Sequence, residues 1–194
     1  MSTEVRNYLQ LTSEETQAAH RKFLEECGEK LIDAARLIGQ TVKNKGKILI
    51  LGNGGSAADA QHMAAEMVGR MLIERRPLPA VALTTDSSNL TAVGNDYGFD
   101  QVFDRQVQAL ARPEDTLLAI STSGNSKNVL AAVRSARKVG CKVIALTGGA
   151  GGDLKSACDI WLNVSLGKNS SRVQETHIFA VHSLVDLCDR FFLE

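Results

Sequence analysis

Apolar positions recur at two different spacings along this chain. In the first 43 residues they fall at Ala19, Phe23, Cys27, Leu31, Ala34, Ala35 and Ile38, with mostly polar residues between. Steps of three and four keep them on one face of a helix. Thr12, with Glu15 three residues on, has the form of a capping box and predicts a helix start there. Asn44, Lys45 and Gly46 break the pattern, with Gly46 the expected terminator. From Lys47 onward short, nearly unbroken apolar runs take over, at 47–51, 79–83, 116–120, 142–146 and 159–164. Such runs suit strands buried on both faces. Helical patterns separate or follow them at 56–69, 87–93, 100–110, 128–139 and 173–192.

This alternation predicts an α/β fold. A mainly parallel five-stranded sheet lies between helical layers, a three-layer αβα sandwich, with right-handed crossovers. No repeat or composition break divides the chain. Residues 1–194 are therefore expected to form one domain, with 1–45 as a helical segment for packing or oligomerisation. The last helix is apolar around much of its circumference, which predicts burial on two sides and favours an oligomer.

Composition narrows the picture. Aromatic residues are only 5% of the chain, so the core is expected to be aliphatic. Basic and acidic residues balance at 22 each, which gives no sign of a nucleic-acid binder and permits self-association. Cys27, Cys141, Cys158 and Cys188 form no CxxC pair and read as reduced, structural thiols. The polar start does not resemble a signal peptide, and no apolar run reaches membrane-spanning length. A cytoplasmic location is expected.

Two glycine- and serine-rich loops carry the chemistry. After the first strand comes Gly52-Asn53-Gly54-Gly55-Ser56, and after the third Ser121-Thr122-Ser123-Gly124-Asn125-Ser126; a helix follows each. Glycines let a ligand approach the backbone, while hydroxyls and helix-start amides form an uncharged cradle for phosphate. Ligands of open α/β sheets bind beyond the strand C-termini. No acidic residue is placed for a ribose, so a small phosphate ester is favoured over a dinucleotide. Residues 145–152 form a third glycine loop, and Asn95 and Asp96 read as turn residues in another.

His62 and Glu66 stand four apart on the helix after the first loop and share a face. They suit one divalent metal, an acid and base pair, or a solvated couple. On the last helix Gln174, Glu175, His177 and His182 stand out. Gln174 and His182 differ by about 12 Å of rise and about 80° of rotation. Spacing would sooner pair Glu175 with His182, and does not choose between them. His182 lies between Val181 and Leu184, where a satisfied core histidine is the competing explanation.

Taken together, the segments GNGGSAADAQHMAAEMVGR (52–70), VGNDYGF (93–99), STSGNS (121–126), LTGGAGG (146–152) and RVQETHIFAVH (172–182) resemble the bacterial phosphoheptose isomerases of the SIS fold. The resemblance spans nearly the whole chain. It implies isomerisation of sedoheptulose 7-phosphate to D-glycero-D-manno-heptose 7-phosphate through an enediol, for the ADP-heptose of lipopolysaccharide core. It also implies a homotetramer with sites at subunit contacts and one Zn²⁺ per subunit. The family's zinc ligands fall on His62, Glu66, Gln174 and His182. Its substrate contacts fall on Asn53, Gly54, Gly55, Glu66, Asn95, Asp96, Ser121, Thr122, Ser123, Ser126 and Gln174, and its proton-transfer pair on Glu66 and His182. Ser171 stands where some members carry Asp. The alternative is a non-catalytic SIS-fold regulator that binds a sugar phosphate and the replication initiator. Such a regulator looks like an isomerase that has lost catalytic groups, whereas this chain keeps both Glu66 and His182.

Overall fold

The computed structural model describes residues 3–193. Its five apolar runs become β1 (Ile48–Leu51), β2 (Ala80–Ala82), β3 (Thr116–Ser121), β4 (Lys142–Gly148) and β5 (Ile160–Val164). They form one sheet in the order β2-β1-β3-β4-β5, every neighbouring pair parallel. The helices are α1 (Thr3–Lys43), α2 (Gly55–Val68), α3 (Ser87–Tyr97), α4 (Asp104–Leu110), α5 (Lys127–Val139), α6 (Leu154–Ala157) and α7 (Ser170–Leu187). A 3₁₀ turn spans Phe99–Gln101, and a π-helical turn, Cys188–Phe192, follows α7.

Period-two geometry splits the strand side chains between two cores. Ile48, Ile50, Leu118, Ile120, Ile144 and Leu146 pack with residues of α1, α2 and α7. Leu49, Leu51, Leu117, Ala119, Val143 and Ala145 pack with Val102, Phe103, Val107 and the apolar face of α5. The three layers and the five parallel strands are those the sequence predicts.

The sequence reading predicts no α6, and it errs in three further places. Thr12 starts no helix: α1 begins nine residues earlier, and the Thr12 hydroxyl donates to the Tyr8 carbonyl at 2.8 Å, an interior back-bond. The preceding turns escape the pattern because Val5, Tyr8, Leu9 and Leu11 are all exposed and mark no buried face. Asn95 and Asp96 lie on the last turn of α3 rather than in a loop. The 100–110 helix is split, since the 3₁₀ turn and Val102–Phe103 precede α4. From Ala19 to Val42, α1 packs against its own sheet and α7.

His177, on α7, is fully buried, and its Nε2 lies 3.0 Å from the Thr147 carbonyl, which fixes that nitrogen as the donor. Burial pushes its pKa down to about 4. The unfolded chain therefore binds a proton near pH 6.5 that the folded protein refuses until about pH 4, so this residue's contribution to stability is present above about 6.5 and lost as pH falls toward 4. Asp59, held near 6 by desolvation, acts in the opposite sense. Comparing parent with a single variant cancels it. His177→Gln is expected to lower stability by about 1–3 kcal/mol at pH 7, with the gap to parent shrinking at pH 5, read from urea midpoints at both pH values. A gap independent of pH would contradict the neutral buried imidazole.

Candidate functional site

The sheet reverses its winding between β1 and β3, and the loops after these strands flank that point. The first loop enters α2 through Gly54, whose φ of 56° is left-handed. The second turns at Gly124, with φ 66°. A Cβ there would come within 1.9 Å of the Gly151 carbonyl, so only glycine lets the third glycine loop close over the second. The two strand-end loops are tied by a reciprocal amide pair. Asn53 Nδ2 donates to Asn128 Oδ1, and Asn128 Nδ2 to Asn53 Oδ1, each at 2.9 Å. Sequence reasoning missed Asn128, because its partner lies 75 residues away.

Ser121, Ser123 and Ser126 converge. The Ser121 hydroxyl lies 3.0 Å from that of Ser126 and 3.5 Å from that of Ser123. Ser126 is the N-cap of α5, yet its hydroxyl caps no backbone amide. The Val129 amide is taken by Asn128 Oδ1 at 2.9 Å, so it is the amides of Lys127 and Asn128 that could serve an anion. Thr122 is half-buried beside them, its carbonyl accepting from the Gly148 amide.

The second half of the site lies where α2 faces α7. His62 Nε2 is 2.9 Å from His182 Nε2 and 3.4 Å from Glu66 Oε1. The ligand atoms of all three residues lie within 4.8 Å of one another. Glu66 Oε2 is buried without a hydrogen-bond partner. Two imidazole nitrogens and a carboxylate so arranged fit one divalent cation, since ligand atoms around tetrahedral zinc sit about 3.3 Å apart. Gln174 lines the same cleft as His62, about 450 Å³, with Asp59, Ser171 and Glu175. Its amide rests against Gly55, where a Cβ would meet Nε2 at 2.5 Å. That contact is about 10 Å of helix rise before His62. Glu175 also borders this cleft, but its carboxylate is taken by Arg172 and Thr16.

Asp59 was not singled out from the sequence. It is buried in this cleft with Oδ2 unpaired, and desolvation raises its pKa to about 6 while the neighbouring His62 pulls it back. In sequence it is one more polar residue between alanines, with no spacing signal. Asn95 and Asp96 are exposed on α3, bonded to each other at 2.8 Å; no residue of that helix is buried.

The SIS domain family model matches residues 13–148, which covers the sheet loops but not α7. The phosphoheptose isomerase of Campylobacter concisus is 56% identical over 160 residues, 82% of this chain and 84% of that protein. This chain belongs to the phosphoheptose isomerase family. Two solved members extend the likeness through α7. The phosphoheptose isomerase structure from Neisseria gonorrhoeae has a TM-score of 0.90 at 47% identity, covering 95% of this chain and 98% of that one. The one from Francisella tularensis has a TM-score of 0.92 at 40% identity, covering 98% and 100%. Nothing in these isomerase relatives favours the regulator alternative.

The close approach of Gly124 to Gly151 gives a direct test of the cradle. Gly124→Ala is expected to cost at least about 2 kcal/mol, from the left-handed φ and the clash together, read as a lowered unfolding midpoint. An unchanged midpoint would mean the two loops do not meet as described.

Proposed function

We propose that this chain interconverts sedoheptulose 7-phosphate and D-glycero-D-manno-heptose 7-phosphate through a cis-enediol, feeding ADP-heptose and lipopolysaccharide core synthesis. The observation that carries this reading is the convergence of His62, Glu66 and His182 in a chain whose strand-end loops form a hydroxyl cradle. The cradle of Ser121, Thr122, Ser123 and Ser126, with the first amides of α5, holds the phosphate. Asn53, Gly54, Gly55, Asn95, Asp96, Glu66 and Gln174 face the sugar. Asn53 gives its side-chain amide to Asn128, so its role is to shape the loop as well as to touch substrate.

Proton transfer falls to Glu66 and His182. Glu66 approaches His62 through Oε1 and has no partner on its buried Oε2, so its carboxylate is committed to no other protein donor. His182 handles the second proton across the cleft. One Zn²⁺ per subunit, held by His62, Glu66, Gln174 and His182, supplies polarisation of the substrate carbonyl when bound. To join this set Gln174 would have to swing its amide away from Gly55, against which it rests. The assembly is a cytoplasmic homotetramer. Exposed Tyr8, Leu9 and Leu11 on α1, with Tyr97 at the end of the unburied α3 and Phe99 just after it, support a partner subunit over both faces. Residues 1–45 serve this packing within a single SIS unit spanning 1–194. Among the described residues no helix is long and apolar enough to cross a membrane.

Three measurements test the reading. Sedoheptulose 7-phosphate isomerisation is expected to vanish on chelation and return with Zn²⁺; full turnover by verified metal-free protein would remove the metal from the reaction. Glu66→Gln and His182→Gln are each expected to lower kcat at least about 100-fold with circular dichroism unchanged, and near-parental turnover in either would sink the pair. Ser123→Ala is expected to raise KM about tenfold through one lost hydrogen bond to phosphate at unchanged melting temperature. An unchanged KM would move the phosphate elsewhere.

A further inference from the structure

We infer that Arg75 and Asp189 form a clamp that sets how α2 meets α7, and that they are positioning residues for the metal. The inference rests on the metal reading proposed above. Arg75 lies in the connection after α2, its side chain 10% exposed. The guanidinium donates through Nη2 to the Glu66 carbonyl at 3.0 Å. Through Nη1 it donates to the carbonyls of Met67 at 2.8 Å, Gly69 at 2.9 Å and Arg76 at 3.3 Å. Nε donates to Asp189 Oδ1 at 2.9 Å. Asp189 is 2% exposed and sits on the π-helical turn after α7, seven residues beyond His182. One side chain therefore grips the peptide of one candidate ligand, Glu66, and the direct continuation of the helix that carries another.

Three features set the character of this contact, and the last two favour registration over simple stabilisation. The helix end needs a cation and lacks one of its own: the last turn of α2 has no basic residue, so Arg75 supplies the charge to its carbonyls from outside the helix. The ion pair itself is not built for strength. The guanidinium meets Asp189 through Nε alone and leaves Asp189 Oδ2 buried without a partner, where a two-point pairing would bind harder. Apolar packing does not seal this end either. An open cleft of about 420 Å³, lined by Met71, Leu72, Phe179, His182, Ser183 and Asp186, flanks His182 on that side.

The experiment compares parent, Asp189→Asn and the double variant Arg75→Met/Asp189→Leu. The double variant removes both buried ions together, so neither charge is left unpaired. Because the carbonyls of Glu66, Met67, Gly69 and Arg76 lose their shared donor, Asp189→Asn, which keeps Arg75 on them, decides the question if the double variant does not unfold cooperatively. Zn²⁺ and Co²⁺ affinities are measured by chelator competition, with the visible spectrum of the Co²⁺ form and the unfolding midpoint of the metal-free form. The clamp predicts an affinity loss of at least about tenfold in both variants and an altered Co²⁺ spectrum in the folded double variant. Parental affinity and spectrum in the folded double variant would overturn the clamp while leaving the metal site standing. A parent that takes up neither ion would overturn the metal reading and the clamp with it.

Discussion

α7 is held on two sides, and the site depends on its being unable to turn. Val173, Ala180, Val181 and Leu184 sit in the core between the sheet and α1. His177 reaches the sheet at the Thr147 carbonyl. On the opposite flank Arg172 donates to the Thr12 carbonyl and the Thr16 hydroxyl, Glu175 accepts from Thr16, and His20 Nε2 meets the Glu175 carbonyl. A helix fixed by a buried polar bond on one side and a charged network on the other has one rotation available. In that rotation Gln174 and His182 face α2, while Glu175, next in sequence, is committed to α1.

The same sheet position supplies the other half of the site. Strand β4 ends just after Thr147 in Gly148, whose amide donates to the Thr122 carbonyl, and the Leu154 amide donates to the Gly124 carbonyl. Thr147 Oγ1 also accepts from Trp161 and donates to Asn163. The end of β4 thus touches the helix bearing two candidate ligands and the loop proposed to cradle the phosphate. Phosphate at one end and a carbonyl at the other end of a sugar demand a fixed distance between their binding groups. A shared, buried anchor is a physical means of holding it.

The layers, the strand order's parallel character and both strand-end loops were legible because period and glycine placement are local signals. The His62–Glu66 pair was legible as one helix turn. The convergence of His182 on it was not, because 120 residues separate the partners and nothing in local spacing encodes the rotation of α7. Spacing favoured Glu175, and only the motif resemblance pointed to Gln174. In the fold, Glu175 is the residue drawn off by Arg172 and Thr16. Asp59 and Asn128 were missed for a related reason: each acquires its meaning from burial or from a distant partner. The false start at Thr12 came from a good capping pattern placed inside a helix whose first turns face outward.

X-ray absorption at the zinc edge tests the central claim most directly, that α2 and α7 converge on a single cation through nitrogen and oxygen. Four free thiols are present as competing ligands, so the measurement discriminates. In the zinc-loaded protein the account predicts first-shell scatterers at about 2.0–2.2 Å with the multiple-scattering signature of two imidazoles, and no sulfur. A shell at about 2.3 Å, the zinc–thiolate distance, or the absence of imidazole scattering, would contradict it.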